Sequence, residues 1–110
     1  MCIFCKVAAG EFGTEFLYSD DDVVAFRDLA PQAPTHILII PRVHFENVDE
    51  LTSASPHTTA KLFAVASRLA KEEGLDGHRT VFNTGASAGQ SVFHAHLHLL
   101  GGRPLAWPPG

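Results

Sequence analysis

Cysteine is scarce in this chain, with two in 110 residues, which argues against a disulfide-stapled fold. The pair, Cys2 and Cys5, is three positions apart, a spacing that suits a metal ion or a redox couple better than a structural bridge. Long apolar runs are also absent. The best, Ile37-Leu38-Ile39-Ile40, stops at Pro41, far short of a membrane span. The opening Met1-Cys2-Ile3-Phe4-Cys5-Lys6 has no charged segment followed by a long apolar stretch, so no secretory signal is expected and the expected compartment is the cytoplasm. There is no basic block or basic helix face: 8 Lys and Arg stand against 12 Asp and Glu, a formal net charge of -4. Binding to a nucleic-acid polymer by counterion release is therefore not expected, although a single nucleotide needs no more than a few well-placed donors. Repeats, low-complexity tracts and linkers are missing too. Residues 1–110 read as one domain with a single modest core, of a size that often completes its burial by oligomerising.

What is present alternates short strands with helices. Ile3 to about Ala9 predicts a short helix ended by Gly10. Glu15 to Tyr18 and Val23 to Arg27 predict two strands parted by the acidic turn Asp20-Asp21-Asp22. Two prolines make Leu29 to Pro34 a loop, and Thr35 to Ile40 is apolar enough past His36 to be a central strand. Ser55-Pro56 is a helix start, Ser as N-cap and Pro at the first helical position. Behind it Leu62, Phe63, Ala66, Leu69 and Ala70 form one apolar face, and Gly74 is the stop. Thr80 to Asn83 predicts a strand, Gly85 to Gly89 a flexible loop, and His94 to Leu100 the last strand. His57 and His78 are expected to face solvent. The class is α+β with an antiparallel sheet.

The run His94-Ala95-His96-Leu97-His98 carries the chemistry. Alternation along a strand puts the three histidines on one face and Ala95, Leu97 and Leu99 on the other. Three imidazoles on one face of a central strand are costly to bury without partners. Two chemical readings stand. Alternating histidines can present nitrogens to one zinc ion. Alternatively, one is a nucleophile toward phosphorus while its neighbours hold the phosphate and manage the leaving group. The preceding Gly89-Gln90-Ser91 favours the second, because it offers backbone N–H groups and a hydroxyl suited to oxyanions.

The stretch from Gly89 to Leu100 resembles the histidine triad pattern, His-φ-His-φ-His-φ-φ with φ apolar, with every position filled. Asp28-Leu29-Ala30-Pro31-Gln32-Ala33-Pro34-Thr35-His36 and Ile40-Pro41 upstream are similar to the same histidine triad (HIT) family. Gly101-Gly102-Arg103 and the ending Trp107-Pro108-Pro109-Gly110 resemble its branch of histidine triad nucleotide-binding proteins. The resemblance implies a five-stranded antiparallel sheet with one long and one short helix, and a homodimer whose sheets run together. It implies hydrolysis of purine nucleoside phosphoramidates, adenosine monophosphate linked to an amine being the model substrate. His96 would attack the α-phosphorus and form a covalent nucleotidyl-histidine. His98 would sit by the phosphate and leaving group, Ser91 would hydrogen-bond the leaving atom or a phosphate oxygen, and His36 would support the triad geometry, its plainer role being that of a hydrogen-bonded core histidine. Asp28 would bind the ribose hydroxyls, a carboxylate accepting from a vicinal diol. Ile3, Phe4, Phe26, Leu29 and Leu38 would wall the base. Asn83, Gly89 and Gln90 would add polar contacts around the phosphate, and Trp107 would reach the partner's pocket.

The resemblance also implies zinc, held by Cys2, Cys5, His44 and His94, a set that suits a closed structural site. His94 would then face the metal and leave His96 and His98 free for chemistry. Competing expectations are a dinucleoside polyphosphate hydrolase, a nucleotide-binding or scaffolding protein with incidental catalysis, and a zinc enzyme using the triad as ligands. Glu11-Phe12-Gly13-Thr14, where a Pro-containing loop is the family pattern, and Ala106 in the tail are the departures, and both bear on substrate preference.

Overall fold

The computed structural model describes residues 2–110. Its elements are α1 (Ile3–Ala8), β1 (Tyr18–Ser19), β2 (Val23–Arg27), β3 (Thr35–Pro41), α2 (Val48–Ala54), α3 (Pro56–Glu72), β4 (His78–Val81) and β5 (Leu97–Gly101), with a 3-10 turn at Ala86–Ala88. The strands form one five-stranded antiparallel sheet in the order β1-β2-β3-β5-β4. Among the described residues no helix is long and apolar enough to cross a membrane.

Alternation sends the side chains of the central strands to two different cores. Val23, Ala25, Ile37, Ile39, Leu97 and Leu99 pack under α3, which contributes Leu62, Val65, Ala66, Leu69 and Ala70. Val24, Phe26, Leu38 and Ile40 face the other way, where Val7 and Ala8 of α1 cover them. β3 is buried along its whole length because both of its faces are covered. Both ends of α3 follow from local chemistry. The Ser55 hydroxyl accepts from the Thr58 N–H at 3.3 Å, Pro56 opens the first turn, and Gly74 takes φ 69° just past the end.

Several boundaries differ from those the sequence predicts. β1 is Tyr18–Ser19 rather than Glu15 to Tyr18, and β4 is His78–Val81 rather than Thr80 to Asn83, so His78 lies in a strand yet remains exposed. β5 starts at Leu97, not His94, because the Ala95 N–H leaves the ladder and donates to the Phe45 carbonyl at 2.7 Å. A second short helix, α2, makes three helices where one long and one short were expected. It is capped by Asn47, whose Oδ1 accepts from the Glu50 N–H at 2.9 Å, and it buries Leu51. Phe63 is not part of the buried face of α3: it is exposed and packs edge-on against Phe82.

The acidic turn does more than connect strands. Asp20 Oδ1 accepts from the Asp22 and Val23 N–H groups at 2.8 and 2.9 Å, while Oδ2 receives the Tyr18 hydroxyl and Lys61 of α3. Arg42, just past β3, donates to the Asp20 carbonyl, the Ser19 hydroxyl and the Ala8 carbonyl, tying this turn to the end of α1. Burial alone would raise the Asp20 carboxyl, but the amides of Val23 and Asp22, the Tyr18 hydroxyl and Lys61 outweigh it and hold the group well below the usual carboxylate range. Its unfolded form therefore takes up a proton first as pH falls, and stability is lost in that direction. Asp20→Ala is expected to lower stability at pH 7 by about 1–3 kcal/mol, with the gap to the parent shrinking below pH ~4. Urea melts at pH 7 and pH 3 measure both values; a gap independent of pH would mean that the charge on Asp20 contributes nothing.

Candidate active site and metal centre

On the α1 side of the sheet the registers bring the functional side chains together. Leu38 pairs with Phe26 on one side and His98 on the other, so the three form a row across β2, β3 and β5. His36, paired with Leu100, is the diagonal neighbour of His98. The alternation of the histidine run persists although β5 begins late: Ala95, Leu97 and Leu99 enter the α3 core, and the imidazoles of His94, His96 and His98 lie on the opposite face.

Hydrogen bonds decide which nitrogen of each ring is free. A carbonyl oxygen can only accept and a backbone N–H can only donate. The His96 Nδ1 lies 2.8 Å from the His94 carbonyl, so Nδ1 carries the proton and, in the neutral ring, Nε2 carries the lone pair. His94 Nε2 donates to the Pro41 carbonyl at 2.8 Å, which leaves its Nδ1 as the lone-pair nitrogen. The Gln32 N–H donates to His36 Nδ1 at 3.0 Å, so in the neutral ring His36 Nε2 holds the proton and donates it to His98 Nδ1 at 2.9 Å. His98 is left with an N–H at Nε2, which is buried and has no partner among the described residues. Burial pushes His98 down to about 4, with the neighbouring His96 and His36 adding to the shift against the opposing Asp28 carboxylate. Burial lowers His36 as well, partly offset by Asp28. Both rings are therefore neutral near pH 7, the state this chain of donors requires.

His96 and His98 form one wall of a cavity of about 700 Å³. Ser91, exposed and without a side-chain partner among the described residues, lines the same cavity. Asp28 lines it too: Oδ1 accepts from the Ala30 N–H at 2.8 Å, and Oδ2 lies 3.4 Å from His36 Nε2. Asp28 is thus a turn former with a second oxygen still available. The apolar remainder includes Ile3 and Phe4 of α1 with Phe26, Leu29 and Leu38. The Phe4 ring meets Phe26 edge-on at 5.7 Å and His96 at 5.2 Å.

Four of the expected residues stand off this wall. Gly89, with φ +95°, sits against the Asn83 side chain. Gln90 is buried and bonded to backbone, and Trp107 is 82% exposed. Conversely, Val7, Glu15, Leu17, Arg27 and Val92 line the cavity without being singled out by sequence, and Phe12 and Thr14, from the segment that departs from the family pattern, line it as well. Val7 was findable, since it lies three and four residues beyond Phe4 and Ile3 on one helical face. The 12–17 segment carries no periodicity that points to a site.

The remaining histidine of the run belongs to another centre. His94 Nδ1 lies 3.4 Å from Cys2 Sγ and 3.5 Å from Cys5 Sγ, and His44 Nδ1 lies 3.4 Å from Cys5 Sγ. All four donor atoms lie within 4.8 Å of one another. A tetrahedral zinc ion with ordinary bond lengths requires S···N separations of about 3.6 Å, so the set fits that metal. The His94 N–H committed to the Pro41 carbonyl is the second contact that orients a ligating imidazole. Burial holds His94 below its usual value, keeping the ring neutral as a ligand must be, and burial and the neighbouring Cys2 raise the Cys5 thiol. Metal coordination reverses the latter effect by deprotonating thiols. Asp28, His36 and His98 also cluster closely enough for a metal, but their facing atoms are already joined by the proton chain.

A family model described as the HIT domain matches residues 9–105. The purine nucleoside phosphoramidase of Escherichia coli (strain K12) is 45% identical over 105 residues, covering 94% of this chain and 88% of that protein. A 14 kDa zinc-binding protein of Zea mays is 49% identical over 112 residues, covering 98% of this chain and 87% of that one. Among solved structures, a HIT family hydrolase from Legionella pneumophila Philadelphia 1 superimposes with a TM-score of 0.95 at 46% identity, covering 100% of both chains. With the triad in place and the match running through nearly its whole length, the chain belongs to the HIT family.

Proposed function

We propose that this protein hydrolyses phosphoramidates of purine nucleoside monophosphates through a covalent nucleotidyl-His96. The observation that carries the reading is the pairing of a lone pair on His96 Nε2 with an unspent N–H on His98 Nε2 in the wall of one cavity. The phosphoramidase activity of the Escherichia coli relative supports the same substrate class.

The chain's own groups divide the work. The base lies between Ile3 and Phe4 on one side and Phe26 and Leu38 on the other, Leu29 covers the mouth, and the free oxygen of Asp28 takes the ribose hydroxyls. His98 Nε2–H holds a phosphate oxygen and draws its charge toward the triad. His96 Nε2 attacks phosphorus while its Nδ1–H stays on the His94 carbonyl, so the positive charge developing on the ring is met by a carbonyl dipole. The P–N bond breaks as solvent supplies a proton through the Ser91 hydroxyl to the departing nitrogen, so the amine leaves neutral, and the water of the second step gives one proton back to solvent. Water then attacks the phosphoryl group, releases the nucleoside monophosphate and returns His96 to its neutral form. The net change exchanges a P–N bond for a P–O bond at the expense of one water.

Cys2, Cys5, His44 and His94 would hold Zn2+, which supplies a structural cross-link between α1 and the triad segment and leaves His96 and His98 free. The functional unit is a homodimer in which α3 and an edge strand approach the partner, extend the sheet and send the tail with Trp107 toward the partner's cavity. The unpaired edge of β4 and the exposed Phe63 and Trp107 support this. It works in the cytoplasm on small nucleotides, with neither a membrane nor a nucleic-acid polymer as partner.

AMP release from an adenosine phosphoramidate is expected to fall by about 10³-fold or more in His96→Ala, while affinity for AMP changes little. Near-parent turnover in that variant would rule out the covalent step. Elemental analysis is expected to find one zinc per chain in the parent and none in Cys5→Ser, with a melting temperature lower by several degrees in the variant; a zinc-free parent would remove the metal from the account. Sedimentation equilibrium is expected to give a dimer, and a monomer at micromolar concentration would withdraw the role given to Trp107.

A further inference from the structure

The Gln90 side chain stands off the cavity, yet it is 4% exposed and both of its polar atoms are bonded. Oε1 accepts from the Gly85 N–H at 2.9 Å. Nε2 donates to the Glu46 carbonyl at 2.7 Å and to the Val92 carbonyl at 3.1 Å. Two carbonyls against one end of the amide and an N–H against the other leave a single assignment of oxygen and nitrogen. The main chain of Gln90 repeats the link, its N–H donating to the Gly85 carbonyl at 3.1 Å.

These bonds bracket Ser91. On its N-terminal side the loop is closed by the reciprocal Gly85–Gln90 pair and the tight turn that Ala88 and Gly89 make back to Gly85 and Ala86. On its C-terminal side the Val92 carbonyl is held by the same amide. Ser91 has no side-chain bond of its own among the described residues, so its place in the cavity lining with His96 and His98 derives from the bracket. The third partner lies elsewhere in the chain. Glu46 follows Phe45, whose carbonyl receives the Ala95 N–H, so one short segment grips the loop before the triad and the triad itself.

We propose that Gln90 is a positioning residue for the phosphoramidate hydrolysis described above, setting the Ser91 hydroxyl at the leaving-group side of the reacting phosphorus. The inference rests on that reading of the site. Gln90 does not touch substrate; it acts through Ser91. In Gln90→Glu the shape is kept, but a carboxylate oxygen replaces the donor facing two carbonyls and the bracket opens.

The test is a double-mutant cycle of Gln90→Glu and Ser91→Ala, with Gln90→Met as the uncharged alternative should the glutamate variant unfold. Each Gln90 variant is expected to lower kcat for an adenosine phosphoramidate by about 10- to 100-fold with KM and AMP affinity within about threefold. In the Ser91→Ala background the same change is expected to cost less than about threefold, because the group it positions is gone. Additive losses, or a loss seen in KM and AMP affinity rather than kcat, would overturn the proposal; so would unfolding of both Gln90 variants, which would make the residue a determinant of the fold alone. The ³¹P shift of bound AMP supplies a readout that does not need turnover, and it is expected to move alike in Gln90→Glu, Ser91→Ala and the double variant. A parent without phosphoramidase activity would sink the functional reading, and the phosphorus shifts would still decide the role of Gln90: separate, additive shifts refute it.

Discussion

The carbonyls of His94 and Pro41 and the N–H of Gln32 each occupy one ring nitrogen of a histidine, and the remaining chemistry depends on which nitrogen they leave over. Three similar side chains at alternate positions acquire three different roles without differing in identity. Backbone groups make this assignment durable, because they cannot rotate away as a side-chain partner could and cannot switch between donor and acceptor. His94 turns its lone pair to the thiols, while His96 keeps a lone pair and His98 a proton at Nε2, and both of these rings line the cavity. Swapping any one tautomer would place two lone pairs or two protons in opposition, so the network has one low-energy arrangement rather than several.

That arrangement costs stability at low pH and gains reactivity near neutrality. Neutral imidazoles buried in apolar surroundings resist protonation, and the closeness of His96 and His36 to His98 strengthens the resistance. The same burial keeps water off the rings, so the donor they present is not already hydrated. Apolar partners supply the burial: Leu97 and Leu99, on the reverse of the run, are completely enclosed under α3 and hold the strand against the sheet. The alternation that separates the two faces lets one short segment anchor the core and carry the reactive groups at once.

Alternation is also the most legible property of the chain. It places the histidines on one face, Ala95, Leu97 and Leu99 on the other, and Thr35 onward in a doubly covered strand, because those patterns depend only on local geometry and burial. What escapes the sequence depends on partners far along the chain. The run leaves the β ladder before Leu97 because Ala95 bonds to Phe45, a residue about fifty positions away. α2 buries a single residue, Leu51, and so has no stripe to betray it; Asn47 as its cap is the available clue. Phe63 sits at the margin of the α3 stripe, where a helical wheel cannot separate core from rim. Gln90 reads as ligand-facing because Gly-Gln-Ser has the look of a phosphate loop, and a polar side chain that braces a loop is the same in sequence as one that faces a substrate. The registers that join His36, Leu38 and His98 supply what composition and spacing could not.

The cavity wall itself needs an external support. α1 has six residues, and its N-cap, Cys2, makes no side-chain capping bond, so its intrinsic stability is negligible. Yet Ile3, Phe4 and Val7 on this helix form one side of the cavity, and Phe4 packs edge-on against the His96 ring. Three things hold the helix in place: burial of Val7 and Ala8 on the sheet, the Arg42 bond to the Ala8 carbonyl, and the four-ligand cluster to which Cys2 and Cys5 contribute two sulfurs. The first two act at the C-terminal end of α1. The cluster secures the N-terminal end, from which Ile3 and Phe4 project. A metal there would brace this wall of the cavity and also hold His94, whose carbonyl sets the tautomer of His96. The metal cluster and the histidine run therefore share a residue, and an ion bound outside the cavity would help determine both where Ile3 and Phe4 stand and which nitrogen of His96 keeps its lone pair.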